Sequence, residues 1–326
     1  VLIIIEGVDG VGKTTLANKL RDQLLTEYGG DVTMRKCGPL RRDPLEEYVL
    51  DIEPYHASME QHIIYDRHYV GELVYGPIYR GASRIDAAMR RYIELVLQAR
   101  GAVLVVMHPG EGWQTHDTSR RVPSFDVNGT EAALHDRARR AANMFLVATE
   151  ERPSGASALH PWHLYDFADD DDAAAIINGA VGRTNIAMES TSRFSMIGNS
   201  TDFCTYLLLG DTRGPKQLSV DFTSCFVPYP NTSGYYLIRA IPEEFDGTYA
   251  VTNASEVNVG KLWNRLGRPE TVALGSKPAA FANLAGVPHG RVPHPQYVRR
   301  FHHHKIEEYG EQIFQCAEKG STWQPS

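Results

Sequence analysis

Short apolar runs alternate with longer amphipathic segments over residues 1–183. The runs 1–6, 32–36, 62–66, 102–107 and 162–167 are rich in branched and aromatic residues and predict buried strands. The segments 13–28, 85–99, 131–150 and 172–181 carry apolar residues at helical spacing and predict helices. Strands that alternate with helices of this length pair in parallel, with helices on both faces of the sheet. The fold class is α/β.

After a break near 182–193 the rhythm shortens. Residues 206–209, 235–238, 249–252 and 271–274 predict short strands separated by Gly, Pro and Asn turns. The boundary is placed near residue 185, giving a first domain over 1–185 and a second, smaller α/β domain over 186–326. The polar stretch between Met107 and Glu131 is too long for a simple connection and suggests a functional loop. The acidic run Asp169–Asp172 reads as a helix start, where carboxylates meet the positive end of the helix dipole.

Composition narrows this picture without changing it. With 326 residues a single core is near its practical limit, and 42% hydrophobic with 22% charged residues is ordinary for a globular protein. No apolar run approaches the ~20 residues that cross a bilayer, so no membrane association is expected. The opening apolar run has no basic stretch before it and reads as a strand, not a signal segment. Cys37, Cys204, Cys225 and Cys316 are scattered without metal spacing, which fits free thiols in a reducing cytoplasm. A net charge of -7 argues against broad non-specific nucleic-acid binding but leaves room for a local basic groove.

The sharpest motif is Gly7-Val8-Asp9-Gly10-Val11-Gly12-Lys13-Thr14, which matches G-x-x-x-x-G-K-[ST] at every fixed position. A strand runs into it and a helix leaves it, so its main-chain amides form a nest for phosphate at a helix N-terminus. Lys13 is placed to reach the β- and γ-phosphates of ATP, and the Thr14 hydroxyl to hold Mg²⁺. The cofactor-binding set is Asp9, Gly10, Val11, Gly12, Lys13, Thr14 and Thr15. Asp66, at the end of a buried strand, is the second candidate for the metal, because ligands of open α/β sheets gather at strand C-termini. Its neighbour Arg67 is a candidate grip on an acceptor phosphate; a plain ion pair is the alternative.

The segment from Ile5 to Thr15, with Glu6 before the loop and Asp9 inside it, resembles the first motif of the thymidylate kinase branch of nucleotide kinases. His62-Ile63-Ile64-Tyr65-Asp66-Arg67-His68 resembles the DR motif of that branch and of deoxynucleoside kinases. The resemblance implies a P-loop kinase fold, with Lys13, Asp66 and Arg67 catalytic and Asp9 near the acceptor sugar. It also implies that Arg41 and Arg42 bind the acceptor and that Arg120 and Arg121 belong to a mobile lid; solvated basic loops are the alternative for both pairs. Tyr75, in Tyr75-Gly76-Pro77-Ile78-Tyr79-Arg80-Gly81, either stacks on an acceptor base or packs in the core.

In the second half, Gly210-Asp211, then Asn253, then Gly275-Ser276-Lys277-Pro278, then Pro293-His294-Pro295 resemble, in order and spacing, the uracil-DNA glycosylase superfamily. The likeness covers residues 195–305 and implies that Asn253 and His294 read a base. The aromatic that shields the base in that family is missing at its usual offset after Asp211, which argues for base or DNA binding over excision. Arg291, Arg299, Arg300 and Lys305, with neighbouring histidines, are candidate phosphate contacts. Three adjacent histidines, 302–304, point in different directions and do not make a metal site.

These features lead to an ATP- and Mg²⁺-dependent phosphotransferase acting on a pyrimidine deoxynucleotide. One alternative is a kinase of 5-hydroxymethyluracil bases within phage DNA, with the second domain binding that DNA. Further alternatives are an ATP-switched nucleic-acid-binding protein and a bifunctional kinase and glycosylase. A homodimer is left open.

Overall fold

The structure is a computed structural model and describes residues 1–50, 52, 61–109, 139–145, 148–149, 162–165, 170–190, 196–199, 204–212 and 225–325. Five strands form the first sheet: β1 (Leu2–Gly7), β2 (Asp31–Lys36), β3 (Gln61–Asp66), β4 (Val103–His108) and β5 (Trp162–Tyr165). Their order is β2-β3-β1-β4-β5, and every pairing is parallel. β1 and β4 are buried along their whole length, which is why both read as unbroken apolar runs and not as alternating ones.

The helices around this sheet are α1 (Lys13–Glu27), α2 (Tyr69–Arg80), α3 (Ala87–Ala99) and α4 (Asp170–Ser190). α3 starts where Asp86 caps it, its side chain accepting from the Met89 amide at 2.8 Å. α2 has no counterpart in the sequence expectations. Gly71, Gly76 and Pro77 fall inside it, and residues with such poor helix propensity hide a helix that packing sustains. Residues 139–145 and 148–149 are helical, within the segment 131–150 where a helix is expected; the rest of that segment lies outside the described residues.

The second sheet contains β6 (Ile197–Gly198), β7 (Tyr206–Gly210), β8 (Tyr249–Asn253), β9 (Glu270–Leu274) and β10 (Gly290–Val292). Its order is β10-β9-β7-β8-β6, parallel except for the short edge strand β6. Around it lie α5 (Ser233–Ala240), α6 (Val259–Arg265), α7 (Ser276–Leu284), α8 (Pro295–Phe301) and α9 (Ile306–Lys319). One expectation is corrected here: 235–238, read as a strand from its aromatic and β-branched residues, lies in α5. Thr232 caps that helix, its Oγ1 accepting from the Tyr235 amide at 3.3 Å, and burial of Tyr236, Leu237, Ile238 and Ala240 outweighs strand propensity.

The two sheets share an apolar cluster, and α3 packs against α5 and β6. Arg91 of α3 is buried in that contact. Its Nε donates to Asp246 Oδ1 at 2.5 Å, Nη1 to the Ile238 carbonyl at 3.0 Å and to that of Ile241, and Nη2 to the Pro242 carbonyl at 3.0 Å. Every nitrogen of the guanidinium therefore finds an acceptor, the condition under which a charge tolerates burial.

Candidate active site at the P-loop and a second cleft

β1 ends at Gly7, whose φ of 137° an L-residue rarely adopts; a Cβ there would lie 2.3 Å from the Met107 carbonyl oxygen of the neighbouring strand. Only glycine lets the chain turn this close to β4. The loop then climbs to Gly12, also at positive φ, and α1 begins at Lys13. Lys13 is nearly buried, and its Nζ donates to the Val8 carbonyl at 2.6 Å, so the ammonium lies folded across the loop.

Thr14 and Asp66 meet across the edge of the sheet: Thr14 Oγ1 donates to Asp66 Oδ2 at 2.9 Å. Asp66 Oδ1 is buried without a hydrogen-bond partner among the described residues. An alcohol beside a carboxylate with an unused oxygen is a hard-oxygen donor set that fits Mg²⁺. Lys36 Nζ stands 3.7 Å from Asp66 Oδ2. The other strand end, β4, finishes in His108, buried against β5 with its Nε2 2.7 Å from His163 Nδ1. Burial holds His108 down at about 4, with help from His163.

Arg67, at φ 76°, turns back to ion-pair with Asp9 in the loop, and its guanidinium lies 5.4 Å from the centre of the Tyr75 ring. These residues open into a cavity of about 410 Å³. His68, Gly71, Glu72, Tyr75, Tyr79 and Arg80 give it one wall from the start of α2 onward, and Cys37, Gly38 and Pro39 line it from the loop after β2. Tyr75 and Tyr79 stack with centroids 6.0 Å apart, and Tyr75 meets the edge of Phe145. Tyr75 thus belongs both to the core and to the cavity. Glu72, in the first turn of α2, accepts through Oε1 from Arg80 and from the Arg84 amide at 3.0 Å.

Two buried titratable groups behind this cavity escaped the sequence reading. Glu6 is fully buried; its Oε1 accepts from the amides of His68, Val70 and Gly71 at 2.8, 3.1 and 3.2 Å. Burial raises its carboxyl to about 7, against the opposing pull of those amides and of Arg67 and Lys13. His68, under Tyr48, Tyr65 and Tyr69, is lowered by burial to about 3 and is neutral near pH 7. The spacing of Glu6 from the loop was visible in sequence, but nothing there signalled that three amides of α2 converge on it.

The remaining predicted residues fall in several places. Gly10, Val11 and Thr15 lie in the loop and first turn of α1 with Lys13 and Thr14. Arg41 and Arg42 do not line the cavity; with Arg35, Lys36, Glu46 and Glu47 they line an adjoining cleft of about 890 Å³ that shares the wall Cys37-Gly38-Pro39. Arg120 and Arg121 lie outside the described residues.

Asn253 and His294 belong to a separate side-chain cluster at the C-terminal edge of the second sheet. A Cβ on Gly210 would meet the Phe226 ring at 2.3 Å and Asn253 Oδ1 at 3.0 Å, and the Phe226 and His294 rings are 6.3 Å apart. An aromatic therefore does stand over the Gly210 turn. Sequence offset missed it because Phe226 arrives from a distant loop, at φ 52°. Lys277 Nζ ion-pairs with Asp211 at 3.0 Å, Asn253 Nδ2 donates to Glu256 at 3.2 Å, and burial lowers the His294 imidazole. Among the described residues no three His, Cys, Asp or Glu side chains converge as a metal site, and no helix is long and apolar enough to cross a membrane.

No protein-family model matches the sequence, and no curated protein matches it. Solved structures similar to it include two bacterial proteins. The YorR protein of Bacillus subtilis, in complex with phosphorylated GDP, is 21% identical with a TM-score of 0.40, over 55% of this chain and 94% of that one. A putative polyphosphate kinase 2 of Pseudomonas aeruginosa is 10% identical with a TM-score of 0.36, over 98% of this chain and 90% of that one. The chain's own geometry, a parallel sheet whose central strand turns through a glycine loop into a helix, makes residues 1–190 a P-loop α/β fold.

Proposed function

We propose that the chain is an ATP- and Mg²⁺-dependent phosphotransferase whose acceptor is a pyrimidine deoxynucleotide. The observation that carries this reading is the meeting of Thr14 and Asp66 beside Lys13, next in sequence to Arg67, whose pair with Asp9 lines a tyrosine-walled cavity. When bound, ATP supplies the phosphoryl group and Mg²⁺ supplies positive charge on its phosphate oxygens. Thr14 Oγ1 and Asp66 would hold the metal. Lys13 leaves the Val8 carbonyl to neutralise the charge that grows as the bond from γ-phosphorus to the leaving oxygen breaks and the bond to the acceptor oxygen forms. Arg67, pinned by Asp9, orients the acceptor at the cavity mouth, and Tyr75 and Tyr79 give its ring an apolar wall.

A second reading has a specific observation behind it. A free nucleotide needs no second α/β unit, whereas Arg91 ties one firmly to α3, and that unit carries its own cluster of an amide, an aromatic ring and an imidazole in Asn253, Phe226 and His294. In this reading the acceptor is a modified pyrimidine within DNA, presented to the kinase by a domain that holds an extruded base.

Labelled ATP offered with thymidine and 5-hydroxymethyldeoxyuridine monophosphates, and with DNA containing each base, tests both. Label on mononucleotides alone supports the first reading, and label on polymer alone supports the second. A protein that labels neither refutes the phosphotransferase assignment.

A further inference from the structure

α8 turns an unusual face to solvent. Pro295 and Val298 are its buried positions where it packs against α5 and α9, and the exposed positions are Gln296, Tyr297, Arg300 and Phe301. Tyr297 is 46% exposed and Phe301 65%, and their rings lie 5.1 Å apart. His302 adds a third ring, 5.6 Å from Tyr297. The outer face of a short helix ordinarily carries Lys, Glu or Gln, since exposed aromatic area has no packing to gain. Here two aromatic rings and a guanidinium share it.

The charge around that face is one-sided. Residues 291–305 contain Arg291, Arg299, Arg300, Lys305 and four histidines, and no Asp or Glu, in a chain whose net charge is -7. Lys305 is partly occupied, since Glu308 lies 3.6 Å from its Nζ. Arg300 remains exposed. The helix also begins at the cluster of Asn253, Phe226 and His294. His294 is its N-cap, accepting from the Gln296 amide at 3.2 Å, and the same histidine faces Phe226.

We propose that the Tyr297–Phe301 face of α8 is a stacking platform for single-stranded nucleic acid. Unstacked bases present π-faces that the two rings can cover, while Arg300 and its basic neighbours meet the phosphates. Duplex DNA fits poorly, because its base faces are already covered by one another. A second copy of the chain fits poorly as well, since two-fold packing of this face on itself sets arginine against arginine. The platform stands on the second unit alone and holds whether or not the first unit transfers phosphate.

The test is fluorescence anisotropy of a labelled dT12 strand with the full chain, across 50–200 mM salt. Wild type binds, with affinity that falls as salt rises. Tyr297→Ala with Phe301→Ala lowers affinity about a hundredfold, roughly tenfold per ring, and leaves the salt slope unchanged. The double replacement by Trp retains binding, which separates stacking from a folding defect. Arg300→Ala costs a few-fold and flattens the slope by about one. A wild-type protein that ignores the strand overturns the proposal, as does an alanine pair that binds it like wild type. So does a wild-type dimer, seen by sedimentation, that the alanine pair dissociates while strand binding persists.

Discussion

In both sheets the first long strand lies at the centre, its successors fall on either side, and it ends in a glycine at the C-terminal edge. That is the place where open α/β sheets bind ligands. Yet the two edges are furnished differently. At Gly7 the crowding partner is backbone, the Met107 carbonyl, and the groups that follow are amides, an ammonium and an alcohol facing a carboxylate. At Gly210 the crowding partner is an aromatic ring, with an amide side chain and an imidazole beside it. One edge suits a compact, highly charged group and the other a flat, weakly polar one. One topology thus serves two chemistries, and side chains at the strand ends decide which.

Breaking the first edge has the largest effect. Lys13→Ala is expected to lower phosphoryl transfer about a thousandfold, ~4 kcal/mol of transition-state stabilisation, judged from the loss of comparable charge-stabilising contacts. Strand binding by the second unit stays as in wild type. Near wild-type transfer in single-turnover kinetics would remove Lys13 from the mechanism. Breaking the connection comes next. Arg91→Met strips Asp246 of its buried counter-charge and leaves three carbonyls without their donor, at a cost of about 3 kcal/mol or more. Chemical denaturation then passes from one transition to two as the sheets unfold separately. A single transition with an unchanged midpoint shows that the two units are coupled elsewhere.

Gly210→Ala probes the second edge. Its methyl group cannot coexist with the Phe226 ring, so the ring moves off the Gly210 turn at about 1–3 kcal/mol of stability. Strand binding weakens, while phosphoryl transfer to a mononucleotide is unaffected. A crystal structure of the variant with Phe226 in place contradicts this account.

The two edges were unequally legible in the sequence. The P-loop could be read because its parts are contiguous: strand, glycines, Lys13 and Thr14 succeed one another in one segment, and the branched run before them can only be a buried strand. Asp66 followed for the same reason, sitting at the end of its own apolar run. The tyrosine-walled cavity could not be read this way. It is made by α2, whose glycines and proline conceal its periodicity, and by a loop after β2 that only folding brings opposite. Arg41 and Arg42 lie close to Gly38 in sequence yet line the adjoining cleft. In the second unit, Asn253 and His294 were legible from their order along the chain, whereas Phe226 was not. A side chain carried in from farther along the chain leaves no fixed spacing to find.

The smallest expected effect concerns Glu6, which separates the edges by pH. Its carboxyl is raised to about 7 in the folded chain, from an ordinary unfolded value near 4.5, chiefly because the site is dry. Between those two values the folded state keeps a proton that the unfolded state has released. Stability therefore falls as pH rises from about 4.5 to 7, and the loss is complete above 7. Glu6→Gln keeps an oxygen for the amides of His68, Val70 and Gly71 but has no proton to lose. The variant is expected to gain stability relative to wild type across that window, by about 2 kcal/mol at pH 8, less than the full shift because its NH2 group takes the place of the buried, unpartnered Oε2. Parallel urea titrations at pH 5 and pH 8 measure the difference directly. The same stability offset at both pH values means that Glu6 is ionised throughout. The start of α2 is then held by a buried carboxylate, a charged anchor of a kind with no counterpart at the Gly210 edge.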